Sequence, residues 1–373
     1  MDEHIILEKE IDDEIKNAQK KLKKERLDMS FGELVNLHED GNLIIDKEFQ
    51  RYFRWNDSQK SRLIESILVG IPIPSIFVVE DDEGKWELID GLQRLSTVFS
   101  FLGRLNLEDV KLNENQINGW ALESGDILKK IDGITFDELP IRAQNIIKRS
   151  ICRVEILRNE SDDDNNKNEN NIRYELFERL NKGGSPLSDQ EIRNAVYRKY
   201  SSNFNNFLNN EGSNQKFIDI INISEKKKQE LYAEELVLRF CSLLNAENIT
   251  KILSEHMDKF MKETVEETKD NTEKIVQYKS IFNRTVDILY NSQIDGIFIP
   301  KSKRGGFSSS LYDGIMIGLA KNINLYENNP SLLEEKINQL KEDEDFYSNM
   351  SSLAHNPKKV KARIEIATKI FKN

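Results

Sequence analysis

Trp86-Glu-Leu-Ile-Asp-Gly-Leu-Gln-Arg-Leu-Ser-Thr-Val-Phe-Ser-Phe101 reads as a strand that runs straight into a helix. Trp86 to Ile89 is short and largely apolar, and Asp90-Gly91 stops it. From there Leu95, Val98, Phe99 and Leu102 recur at helical spacing. A carboxylate, a glycine, an amide and a guanidinium (Asp90, Gly91, Gln93, Arg94) are crowded at the joint. A helix N-terminus has unpaired N–H groups and a partial positive charge, so it suits an anion. An arginine in the first turn adds a bidentate phosphate donor. The pattern points to phosphate or nucleotide chemistry. A structural reading stands beside it, because Asp-Gly is a common turn dipeptide and Asp a common helix N-cap.

Upstream, Ser75 to Glu80 reads as a strand, Asp81 to Lys85 as a tight polar turn, and Trp86 to Ile89 as the hairpin partner. Pro72 and Pro74 predict an extended turn before it. Asn56 or Asp57 can cap a helix with the stripe Leu63, Ile64, Ile67, Leu68, which Gly70 stops. Leu43-Ile44-Ile45 reads as a short strand. Ser30-x-x-Glu33 is a capping box opening a helix through Leu34, Val35 and Leu37, ending near Gly41. Residues 5–26 carry runs of charge and read as a solvated N-terminal helix.

Downstream, residues 103–137, with Trp120 and Gly125, read as an irregular surface insertion, followed by a short helix around 138–148 and a strand from Ile151 to Leu157. Residues 159–171 are wholly polar and read as a flexible loop. Helical spacing then takes over: Ile172 to Leu180, a second capping box at Ser188-x-x-Glu191, and the segments 230–244, 275–290, 311–319, 332–340 and 360–370. The fold expected is α+β, a small mixed sheet in an N-terminal domain followed by an all-α C-terminal domain. The divisions expected are 1–27 for the charged helix, 28–200 for the first domain and 201–373 for the second.

The 373 residues suffice for two cores, with 38% hydrophobic and 32% charged residues. No run approaches a membrane span and no basic-then-apolar leader opens the chain, so a cytoplasmic protein without membrane contact is expected. Cys152 and Cys241 sit in apolar contexts and read as buried thiols. A net charge of −11 argues against coating nucleic acid by bulk charge, while leaving room for a local basic groove.

Two further clusters carry chemistry. In Gln50-Arg51-x-x-Arg54-Trp55 the arginines suit phosphates, and Tyr52 or Trp55 suits a base to stack on; the same residues also fit an aromatic cluster closing a core. In Arg179-Leu-Asn-Lys-Gly-Gly-Ser-Pro-Leu-Ser188, Gly183-Gly184 permits close backbone approach beside Asn181 and Lys182. A plain helix–turn–helix connection explains those glycines equally well. The four histidines (His4, His38, His256, His355) are scattered, and no metal-ligand or nucleophile pattern is evident. His355-Asn-Pro has no helpful partner.

Taken in order, Phe49-Gln-Arg-x-Phe-x-Trp55 with Leu63-Ile-Glu-Ser-Ile-Leu-x-Gly-Ile-Pro-Ile-Pro74, then Leu88-Ile-Asp-Gly-Leu-Gln-Arg94, then Phe177-Glu-Arg-Leu-Asn-Lys-Gly-Gly-Ser-Pro-Leu-Ser188 resemble one family. It is the GmrSD-type restriction endonuclease N-terminal family, domain-of-unknown-function family 262, over about residues 28–200. The resemblance implies a fold similar to ParB and sulfiredoxin, in which a G-x-x-R-x-x-[AT] segment binds nucleotide phosphates. Gly91-x-x-Arg94-x-x-Thr97 has that spacing.

Members of the family act in bacterial anti-phage defence. They bind or hydrolyse nucleoside triphosphates through a D-G-Q-Q-R motif and couple this to DNA cleavage. Carried over, the resemblance implies Asp90, Gln93 and Arg94 as catalytic residues, with Asp90 also taking Mg²⁺. It implies Gln50, Arg51, Gly91, Thr97, Asn181, Lys182 and Gly183 as the phosphate- and nucleotide-binding set, to which Arg54 is added on its own chemistry. The cofactors expected are a nucleoside triphosphate and Mg²⁺. The partners expected are DNA and a second protein or further copies of the chain. Two departures stand out: Leu92 occupies the place of the motif's first glutamine, and the C-terminal half lacks the histidines of an HNH nuclease module. An NTP-hydrolysing defence component is the reading these residues support first. A nucleotide- or DNA-responsive switch without turnover is the alternative, and nuclease activity of the lone chain comes last.

Overall fold

The computed structural model describes residues 2–20, 22–45, 55–81, 83–105, 118–159, 188–197, 202–245, 249–301, 306–327, 329–350 and 355–372. The chain divides into two compact units, Met1–Ser185 and Pro186–Asn373.

In the first unit the elements run α1 (Asp2–Lys20), β1 (Leu22–Ser30), α2 (Phe31–Glu39), β2 (Leu43–Ile44), α3 (Asp57–Val69), β3 (Ile76–Glu80), β4 (Trp86–Asp90), α4 (Leu92–Phe101), α5 (Ile141–Arg149) and β5 (Ile151–Asn159). The five strands form one mixed sheet in the order β1-β5-β3-β4-β2. β1 is antiparallel to β5, β5 parallel to β3, β3 antiparallel to β4, and β4 parallel to β2. One face of the sheet (Ile76, Val78, Leu88, Val154, Ile156) packs into a single core with Phe31 and Leu34 of α2, Ile64 and Ile67 of α3, and Leu95, Val98 and Phe99 of α4.

The local signals act as expected. The Ser30 hydroxyl accepts from the Glu33 N–H, Asn56 and Gln59 complete a reciprocal capping box at α3, and Gly70 ends that helix in the left-handed region at φ 81°. The Asp81 carboxylate holds the hairpin turn by accepting from the N–H groups of Glu83 and Lys85.

Two expectations are corrected. The charged run 5–26 is not one helix: α1 stops at Lys20, and residues 22–30 are the edge strand β1. Its charges meet opposite charges on β5, Asp28 with Arg153 at 3.0 Å, Arg26 with Glu155 at 3.0 Å, Lys24 with Glu155 at 2.9 Å and Glu25 with Arg158 at 2.7 Å. Cross-strand pairing of this kind stabilises a strand that local propensity does not favour. The segment 118–139 is likewise no surface insertion. Leu122, Ile131, Phe136 and Leu139 are buried in the core, and Trp120 packs on Phe101 in a tilted arrangement, 5.0 Å between ring centroids.

The second unit is helical: α6 (Asp189–Tyr197), α7 (Ser202–Gly212), α8 (Gln215–Ile221), α9 (Glu225–Gln229), α10 (Tyr232–Leu243), α11 (Leu253–Glu267), α12 (Glu273–Asn291), α13 (Ser309–Lys321), α14 (Pro330–Glu342), α15 (Glu344–Ser348) and α16 (Pro357–Lys372). The second capping box is present, with Ser188 Oγ accepting from Glu191 N–H and the Glu191 carboxylate accepting from Ser188 N–H. α13 is its central helix: Leu311, Tyr312, Ile315, Met316 and Leu319 are all fully buried, and Asp313 is buried on the same helix. Among the described residues no helix is long and apolar enough to cross a membrane. The polar run 160–171 and the helix expected over 172–180 lie outside the described residues.

Candidate phosphate-binding joint

The joint is built by one glycine. The chain leaves β4 through Gly91 at φ 109°, ψ 9°, a conformation that side-chain-bearing residues rarely adopt. A Cβ there would also lie 2.4 Å from Ile76 Cγ2 and 2.9 Å from Ile76 Cβ. Gly91 is therefore required twice, for its dihedral and for the approach of β3. It is the N-cap of α4, and it contributes no side-chain acceptor to the first-turn N–H groups. Asp90 lies one residue too early to be that cap, so the capping role left open by the sequence falls away. The start of α4, with the positive end of the helix dipole, lies at the joint.

Asp90 instead holds Arg94. Arg94 Nη2 donates to Asp90 Oδ2 at 2.7 Å, and Arg94 Nη1 donates to the carbonyls of Pro74 and Ser75, both at 2.7 Å. The guanidinium thus ties the end of β4 to the residues that open β3, with three of its five N–H donors engaged. Its side chain is 13% exposed and that of Asp90 28%, so the pair lies at the surface of the core rather than inside it. Cys152 on β5 is close enough for Arg94 to act on it, but burial pushes its thiol up to about 11, and the Arg94 charge and a backbone hydrogen bond from Ile76 only partly offset this. It is an inert thiol.

Gln93 Oε1 accepts from the Trp55 N–H at 3.2 Å, and the Trp55 side chain packs against the core of the unit. Asp90, Gly91, Gln93, Arg94 and Trp55 are therefore brought together. Thr97 is not among them at the surface: it is fully buried, and the helical rise puts it about 7.5 Å along the axis from Leu92. Its hydroxyl and that of Ser96 are buried without a hydrogen-bond partner. Gln50, Arg51, Tyr52, Arg54, Asn181, Lys182 and Gly183 lie outside the described residues. The carbonyls of Pro74 and Ser75 and the contact of Ile76 with Gly91 escaped the sequence reading, since backbone acceptors leave no trace in residue identity.

The helical unit holds a second charged centre that the sequence reading also missed. Arg239 and Arg363 share Asp313, at 2.5 Å from Arg239 Nε and 3.1 Å from Arg363 Nη2, and the Asp313 and Arg363 side chains are fully buried. Arg193, also buried, pairs with Asp258 at 2.6 Å. Burial raises the Glu235 carboxyl, with Arg193 and Arg239 pulling it back, and burial together with the Arg239 charge lowers His355. Partners 50 to 74 residues apart give no local signal. Among the described residues no group of three or more His, Cys, Asp or Glu could hold a metal ion by itself.

Residues 31–198 match the family model described as GmrSD restriction endonuclease, N-terminal domain. No curated protein and no solved structure matches the chain. The matched range covers the sheet unit from α2 onward and extends through α6, whose Arg193 and Asn194 bond to Asp258 and Glu234 within the helical unit.

Proposed function

We propose, on the premise that residues 31–198 belong to the GmrSD restriction endonuclease N-terminal domain family, that this chain is the nucleotide-binding, NTP-hydrolysing component of a restriction-type defence system acting on DNA. In this reading the β4–α4 joint takes the polyphosphate, and a ParB- and sulfiredoxin-like fold underlies it. The observation that carries the proposal is the glycine-only start of α4 beside the Asp90–Arg94 pair, since a helix start with a first-turn arginine brings the positive end of a helix dipole and a guanidinium to one place.

The residues fit a metal ion that arrives on the nucleotide. Mg²⁺ is commonly bound by one or two carboxylates plus substrate phosphates, and Asp90 supplies one carboxylate that is open to solvent. When bound, Mg²⁺ would neutralise phosphate charge. The chain's own contributions are the Gly91 helix start and Arg94 on the phosphates, Asp90 toward the cation, and Gln93 holding the Trp55 backbone beside them. With no HNH-like histidine pattern in the C-terminal half, DNA cutting is assigned to a partner or downstream nuclease.

Phosphate release from each of the four NTPs with Mg²⁺, with and without plasmid DNA, tests this in wild type, Asp90→Asn and Arg94→Ala. Turnover in wild type that both variants lose, with melting curves showing that Asp90→Asn stays folded, is the expected result. Full turnover in Asp90→Asn removes its catalytic assignment. A second reading, binding without turnover, is favoured by Leu92, which puts an apolar side chain where the family motif has a polar one; nucleotide binding without phosphate release in wild type would establish it.

A further inference from the structure

A guanidinium grips phosphate with two parallel N–H bonds along its Nη1/Nη2 edge or its Nε/Nη2 edge. In Arg94 the first edge is closed, because Nη1 donates to both the Pro74 and the Ser75 carbonyl, each at 2.7 Å. The second edge shares Nη2 with the Asp90 carboxylate, also at 2.7 Å. A phosphate that takes this edge, on Nε and the second Nη2 N–H, therefore meets Asp90 on the same nitrogen as a like charge at close range. A carboxylate beside phosphate oxygens is unfavourable unless a cation lies between them. Its 28% exposed side chain can receive one, but among the described residues it has no cluster of acids to hold a cation before the ligand comes.

Resting on the reading of this joint as a nucleotide site, we infer that Asp90 is a specificity determinant: by holding a like charge against Arg94 it makes the site select cation-chelated polyphosphate and reject free polyphosphate. The two roles are coupled. The carboxylate that keeps Arg94 occupied in the absence of ligand is the one that the ligand's cation must satisfy. Asp90 acts here on ligand choice, through charge, independently of any part it takes in turnover.

Equilibrium binding on the full chain tests this, using the β,γ-methylene analogues of the four ribonucleoside triphosphates, each with Mg²⁺ and with EDTA. The proteins are wild type, Asp90→Asn and Asp90→Ala, the last two bracketing retention and loss of a side-chain acceptor for Arg94. Wild type is expected to bind the Mg²⁺ form more tightly than the free form. Removing the carboxylate should improve binding of the free form by about tenfold and weaken that of the Mg²⁺ form, so the preference collapses. Variants that keep the wild-type preference, or that lose both forms equally while melting like wild type, overturn the inference and leave the nucleotide reading standing. Binding of no analogue by any of the three proteins removes the nucleotide reading itself, and this inference with it.

Discussion

Truncating Arg94 removes two things at once, a phosphate donor and a brace. Its three hydrogen bonds hold the Pro74 and Ser75 carbonyls and the Asp90 carboxylate, and Arg94→Ala leaves all three acceptors without it. The expected cost is about 2–4 kcal/mol, because hydrogen bonds to charged groups are worth more than neutral ones and partly buried acceptors lose their partner. A urea titration reads it as a lowered midpoint with unchanged slope. An unaltered midpoint would mean that the brace contributes nothing and that any loss of activity is purely a matter of ligand contact. Gly91→Ala meets both a φ of +109° and the Ile76 side chain. It should cost about 2 kcal/mol or more, measured the same way. Ile76→Val in that background should recover little, since the dihedral strain and the 2.9 Å approach to Ile76 Cβ remain.

At the scale of elements, α3 is tied to the segment after α4 by one buried carboxylate. Glu65 is 4% exposed and accepts from the N–H groups of Asp126 at 3.1 Å, Ile127 at 2.8 Å and Leu128 at 2.6 Å. Gly125 makes room, since a Cβ there would sit 2.0 Å from Glu65 Oε1. Burial opposes the charge, but the three backbone bonds and the nearby Lys129 outweigh it, and the Glu65 carboxyl is held below its ordinary value of 4.5. For a depressed carboxylate the stabilisation is complete above the unfolded value and is lost as pH falls through the folded one. Wild type should therefore exceed Glu65→Gln in urea midpoint by a constant margin at neutral pH, and the margin should close once pH drops below 4.5. A margin independent of pH would show that the charge of Glu65 is irrelevant to the tie.

For the molecule as a whole, the helical unit depends on Asp313, whose carboxylate is the shared partner of Arg239 and Arg363 at the heart of the unit. Replacing it with Ala removes the shared carboxylate from two buried guanidinium groups. Breaking one buried pair in this way costs about 3–5 kcal/mol, so Asp313→Ala should unfold the helical unit at markedly lower urea, with loss of far-UV helical signal as the readout. A variant as stable as wild type would show that water or rearrangement compensates the charges.

How much could be read in advance follows the range of the forces. Caps, turns and helical stripes are local, and so Ser30, Asn56, Gly70, Asp81 and Ser188 announced their elements. The hairpin Ile76–Glu80 with Trp86–Asp90 followed from alternation and a polar turn. The meeting of Asp90, Gly91, Gln93 and Arg94 at one joint was legible because the four residues are consecutive or nearly so. β1 was not, because its charges find their partners more than 120 residues away on β5, and the run has no local feature that distinguishes a strand from a solvated helix. The burial of 118–139 was hidden for the same reason: its sparse apolar residues acquire a core only when α3 and α4 are in place.

The sequence by itself thus determined the α+β class, the positions of most helices and the strand-to-helix joint at Asp90–Gly91, since each rests on contacts within a few residues. Only the tertiary structure decided the strand order β1-β5-β3-β4-β2, the engagement of Arg94 by Pro74, Ser75 and Asp90, and the buried Arg239–Asp313–Arg363 centre. Those depend on acceptors and charges distant in the chain, which meet only after the cores have closed.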